Sequence, residues 1–210
     1  MVFRQLVKLS LAALFVSAAA IPGYSQVVAA ATESRWPLEV GVGLSEFSTH
    51  ATNQSPIFEG SLLGPAAWAN WTIRRIPHRL SGLGIEGEGR HLAYGNTGTD
   101  PLLREDTGEA GVIYTWRHYH NFHPYGKVLA GFGSIDFNGT YPGCPMDCNH
   151  DTRTFYSPGG GAEYHLMGAL WIRGDYEYEF WSNFGHTILE PNGFTVGVAY
   201  DMRNVHFGRK

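Results

Sequence analysis

Residues Leu170 to Trp181 read LWIRGDYEYEFW and alternate with a period of two. Leu170, Ile172, Gly174, Tyr176, Tyr178 and Phe180 fall on one face, and Trp171, Arg173, Asp175, Glu177 and Glu179 on the other. That period is the signature of a strand between two unlike environments. One face is aromatic and apolar. The other carries charges of both signs, able to neutralise one another. The pairing suits a membrane-spanning barrel, with its apolar ribs toward lipid and its ionic groups toward the lumen.

The rest of the chain is consistent with that arrangement. Among 210 residues are 27 glycines, 14% aromatics and only 16% charged residues. No apolar run beyond the N-terminus is long enough for a transmembrane helix. Residues 1–30 have the pattern of a cleavable signal peptide. Arg4 and Lys8 precede the apolar stretch Leu9–Ile21, and small residues follow. The chain holds 15 Lys and Arg against 19 Asp and Glu, and two of those bases lie in the leader. So acidic a remainder excludes nucleic acid as an expected partner.

The alternation predicts strands over residues 36–45, 63–73, 83–92, 109–118, 125–137, 156–166, 170–181 and 194–202. Pro65 suggests a late start or a bulge in the second. The fifth has apolar residues on both faces, Val128, Ala130 and Phe132 against Leu129, Ile135 and Phe137. A bulge at one of its glycines would turn both sets partly to lipid. Connections after the first, third, fifth and seventh strands are long and polar, while those after the fourth and sixth are short. The expected fold is therefore all-β: an eight-stranded antiparallel up-and-down transmembrane barrel over residues 36–202, with an extension at 203–210. Both termini then lie on the periplasmic side.

In this register the lumen collects Glu39, Glu86, Glu88, Arg90, Glu109, Arg117, Glu163, Arg173, Asp175, Glu177 and Glu179. Unpaired charges in so narrow a space are costly. An eight-stranded lumen is just wide enough for side chains to fill. The expectation is a polar plug, with a narrow cation-preferring channel as the alternative, since acids outnumber bases. Trp36, Trp71, Tyr114, Trp116, Tyr164, Phe180, Trp181 and Tyr200 are expected to form aromatic girdles at the two membrane interfaces.

Cys144 and Cys148 sit in GCPMDCNHD. Their spacing is not that of a CxxC redox or zinc site. In an exported chain it reads as a small-loop disulfide. His118, His120, His123 and His91 lack the context of a metal motif, and no GxSxG elbow occurs. Gly159-Gly160-Gly161 is followed by no helix, so it reads as close packing of the wall rather than a phosphate loop. No cofactor, metal or catalytic residue is expected.

A glycine-led strand with inward Glu163, then GDYEYEFW after a short turn, then FTVGVAYDM, resembles the OmpA/OmpX-like outer membrane β-barrel domain family. PYGKVLAGFGSIDF is similar to the fifth strand of those proteins. The resemblance implies export, insertion by the barrel assembly machinery, and residence among outer-membrane lipids as a monomer. The machinery reads a final strand ending in an aromatic residue, whereas this strand reaches Met202 with Phe207 beyond. The function expected is non-enzymatic, structural or surface-interacting through the outer loops, with the extracellular ligand open. The alternatives are a soluble lipocalin-like binding barrel and a lipid-modifying barrel enzyme.

Overall fold

The computed structural model describes residues 37–48, 61–73, 81–94, 103–118, 120–137, 150–184 and 187–202. Trp36, Cys144, Cys148, His186 and the leader at 1–30 lie outside these residues.

Ten strands form one antiparallel sheet: β1 (Leu38–Ser48), β2 (Ser61–Thr72), β3 (Leu83–Tyr94), β4 (Leu103–Thr115), β5 (Phe122–Phe137), β6 (His150–Met167), β7 (Leu170–Tyr178), β8 (Phe180–Phe184), β9 (Thr187–Leu189) and β10 (Asn192–Asp201). Neighbours in sequence pair from β1 to β7. β7 pairs with β10, and β10 pairs with β1, which closes a ring of eight. β8 and β9 are a hairpin that prolongs the wall, with Tyr156 opposite Phe180 and Phe155 opposite Trp181. Closure leaves the ring with no unpaired edge, as a lipid environment demands. The upper end of the barrel carries the β1–β2, β3–β4 and β5–β6 connections. The lower end carries the turn at 168–169, the connection at 116–121, and the start of β1 and end of β10. Gly168 makes the tightest of these with a left-handed φ of 56°.

Strand period sorts the side chains throughout. On β2 every second residue from Leu62 to Thr72 is buried and the others are exposed. The strands are longer than their alternation suggested, because pairing continues into polar sequence. β4 starts at Leu103 rather than Glu109, and β6 at His150 rather than Tyr156. Pro65 does not delay β2. It points outward, and the β2–β3 register is the same on both sides of it. β5 has no bulge: its register with β4 and β6 is unbroken. Leu129 and Ile135 are therefore fully inside, not shared with lipid. The strand at 170–181 is continuous only to Tyr178; β8 follows Glu179 and pairs with β6.

Large inward side chains are accommodated by glycines. A Cβ on Gly41 would lie 2.2 Å from the Trp68 ring, and one on Gly197 would lie 2.7 Å from it. A Cβ on Gly133 would lie 2.1 Å from the Trp181 ring. The Gly159–Gly161 run is also close packing: a Cβ on Gly161 would stand 2.2 Å from the Gly174 carbonyl oxygen.

Candidate functional site

The interior is stacked in three layers. At the bottom, Trp68, Trp171 and Ala199 cluster, and the His123 ring stacks on Trp171 at 4.5 Å. At the top, Phe47, Leu62, Leu92, Leu103, Ile135, Phe155, Trp181 and Leu189 form one apolar cluster. Between them lies an ionic lattice with side chains from β3 to β7.

Arg173 organises one half of that lattice. Its Nη1 and Nη2 donate to both oxygens of Glu86 at 2.6 and 2.7 Å, a bidentate fork. Its Nε donates to Tyr125 Oη at 2.7 Å and to Asp175 Oδ2 at 2.9 Å. Tyr125 in turn donates to Asp175 at 2.6 Å. The guanidinium lies 4.7 Å from the ring centres of Trp68 and Tyr125. Lys127 links the halves, at 2.7 Å from both Glu88 and Glu177 and 3.2 Å from Glu86. Arg90 holds the other half: it pairs with Glu109, lies 3.1 Å from Glu179 and 3.4 Å from Glu177, and stacks over Phe47 at 4.4 Å. Ser157 also donates to Glu109. All these groups are buried.

Most of the charged residues expected in the lumen are there: Glu39, Glu86, Glu88, Arg90, Glu109, Glu163, Arg173, Asp175, Glu177 and Glu179 are buried and inward. Arg117 is a correction. β4 ends at Thr115, so Arg117 falls in the following turn and is exposed, with its Nη2 donating to Thr72 Oγ1 at 2.9 Å. Two inward charges escaped the sequence reading, Lys127 and Glu105. Lys127 shares the parity of Leu129 and Ile135, which the expected bulge concealed. Glu105 shares the parity of Glu109 but lay in a presumed loop. It is fully buried, and neither carboxylate oxygen has a hydrogen-bond partner among the described residues.

Of the residues expected in the girdles, Trp71, Trp116, Tyr164 and Tyr200 point outward and are exposed. Tyr114 packs edge-on against Trp116, and Phe180 stacks on Tyr156. Trp181 is a second correction. It is wholly buried inside the upper layer, stacked on Phe155, and its Nε1 donates to Glu179 at 2.6 Å. Its parity with Glu177 and Glu179 places it there; aromatic character alone does not define a girdle.

The outer wall is apolar over most of its height, with Val42, Ile85, Val112, Val128, Phe132 and Val196 all exposed. Above it, at the upper ends of β3 to β6, a polar chain faces outward. His91 meets Asp106, Arg104 lies 3.0 Å from Asp106 and also pairs with Asp136, and Asp136 meets His150. Burial disfavours the Asp136 carboxylate, but its hydrogen bond with His150 and the Arg104 charge together outweigh that and hold it below the usual carboxylate range.

A closed antiparallel ring with exposed apolar ribs and a buried ionic centre defines a membrane-spanning β-barrel. The chain belongs to the outer membrane protein beta-barrel domain family, whose pattern matches residues 9–201. It is a protein of the bacterial outer membrane. Solved structures with the same fold include Neisserial surface protein A at 11% identity, covering 79% of this chain and 97% of that one with a TM-score of 0.60. The attachment invasion locus protein Ail of Yersinia pestis matches at 14% identity, covering 78% and 97% with a TM-score of 0.52. OprG of Pseudomonas aeruginosa matches at 10% identity, covering 78% and 94% with a TM-score of 0.51. These likenesses establish the fold alone. No curated protein sequence matches the chain.

Proposed function

We propose that the protein is a non-enzymatic, monomeric barrel with a sealed lumen, acting through the surface and loops of its upper end, which faces outside the cell. The observation that carries the seal is the stacking of an apolar layer on a cross-linked ionic one. Water entering from above meets Phe47, Leu62, Leu92 and Trp181, all with no exposed surface. Below them, Lys127 and Arg173 tie β3, β5 and β7 together across the lumen. The orientation is supported by the tight 168–169 turn at the lower end, as short periplasmic turns are the rule for such barrels.

Planar-bilayer recording tests the seal. Silence at neutral pH is expected; sustained steps with cation-selective reversal potentials would replace the plug with a channel. Surface proteolysis of intact cells tests the orientation. Cleavage is expected in the 49–60 or 138–149 connection, and cleavage confined to the lower connections would invert it.

A further inference from the structure

Arg90 donates through one nitrogen only. Its Nη2 meets Glu109, Glu177 and Glu179, while Nε and Nη1 are buried and have no hydrogen-bond partner among the described residues. Nε lies 3.8 Å from Glu88 Oε1, beyond hydrogen-bond reach. Buried donors without acceptors are costly, and a guanidinium holds its donors in a rigid fork. Glu105 has the complementary deficit: a fully buried carboxyl group whose two oxygens both lack a donor among the described residues.

The ladder sets these two groups side by side. Arg90 lies opposite Thr107 on β4, with Glu105 two residues above and Glu109 two residues below on the same inward face. Diagonal neighbours across a pair of strands are about 7–8 Å apart, within reach of a long side chain. Lys127 is no rival, for it lies far down β5 from Ile135, the residue opposite Glu105. Thr107, at the midpoint, has a buried hydroxyl that likewise lacks a partner among the described residues. The guanidinium stands 4.4 Å from the ring centre of Phe47, so it already touches the apolar layer that Glu105 borders. A layer filled by Phe47, Leu62, Leu92 and Ile135 has no packing need for a carboxyl group.

We propose that Arg90 is a latch with two positions. In the lower one, described above, it clamps Glu109, Glu177 and Glu179. In the upper one it turns past Thr107 and presents its unused donors to Glu105. The upper position withdraws a cation from the ionic layer and sets an ion pair against the apolar one. It is therefore the state in which the plug loosens and water enters. Lys127 stays on Glu88 and Glu177, and Ser157 on Glu109, so the lattice below is weakened rather than dismantled. The inference rests on the sealed lumen proposed above and supplies the place where that seal gives way.

The test is a double-mutant cycle read by urea unfolding of the full chain from lipid vesicles, with planar-bilayer recording of the same variants. In wild type, Glu105→Gln should shift the folding constant little. In a Glu109→Gln background, which releases the lower position, the same change should lower the folding constant roughly tenfold further, the scale of coupling between residues that share a partner. Glu109→Gln should also show brief openings in the bilayer, and adding Glu105→Gln should abolish them. Glu179→Gln takes the place of Glu109→Gln in both measurements if the latter fails to show heat-modifiable migration. Equal effects of Glu105→Gln in the two backgrounds, silence of Glu109→Gln, or openings that persist once Glu105 is replaced would each overturn the latch. Recording of wild type reads the seal by itself, and the unfolding cycle reads Arg90 whether or not the lumen conducts, so failure of one is distinguishable from failure of the other.

Discussion

The upper and middle layers of the lumen fill the same kind of space by opposite means. The upper layer, from Phe47 to Leu189, is filled by apolar packing, and its one polar atom, Trp181 Nε1, is satisfied by Glu179 below it. The middle layer uses charge, and each carboxylate depends on a cation that depends on others. Apolar packing degrades locally when one residue is lost. An ionic lattice fails as a unit, because removal of one ion leaves its partners charged and buried.

Several measurements sharpen or break that contrast. Arg173→Met should have the largest effect, because Glu86 and Asp175 lose their shared cation. Breaking a buried pair costs about 3–5 kcal/mol. Urea unfolding from lipid vesicles measures it, and a loss no greater than that of Leu62→Ala would erase the distinction between layers. Leu62→Ala removes packing without stranding a charge, and should cost about 2–4 kcal/mol by its cavity. Coupling separates the two layers further. Arg173→Met and Lys127→Met should be strongly non-additive, while Leu62→Ala and Ile135→Val, which strand no charge, should depart from additivity by less.

Glu105 lies at the boundary and belongs to neither scheme. It pairs across the ladder with Leu92 and Ile135, and its carboxyl makes no hydrogen bond among the described residues. Glu105→Gln should therefore change stability by no more than about 1 kcal/mol, since it keeps the shape of a side chain that makes no hydrogen bond among the described residues. A loss of stability would place Glu105 inside the lattice. The smallest effect is expected on the outer face near the upper end of β5, at Asp136. Its carboxyl is held below the usual range by His150 and Arg104. The contribution is thus fully present above the ordinary carboxylate pKa and declines as pH falls through the depressed one. Asp136→Asn should remove a slight acid-side loss of thermal stability below about pH 4, the usual Asp value. In so exposed a position the shift should be barely measurable.

Much of this architecture was legible in sequence, because strand parity is strict. From Leu170 to Glu179, every second residue has the environment its position predicts. Parity was misleading only where something else intervened. Arg117 has inward parity, but its strand ends two residues earlier. Lys127 was obscured because β5 is apolar on both faces: one side meets lipid and the other the lumen's own apolar layer, and composition cannot distinguish them. Trp181 was assigned by aromatic character against its parity, and the parity was right.

Trp68 has a consequence beyond filling the lower layer. Its ring, on β2, lies against glycines on β1 and β10, the first and last strands of the ring, which pair to close it. Sliding β10 along that seam by one residue would bring Val196 or Val198 to the place of Gly197, where a Cβ already lies 2.7 Å from the indole. A single indole thus acts as a gauge against a one-residue slip at the seam where the first and last strands of the ring join.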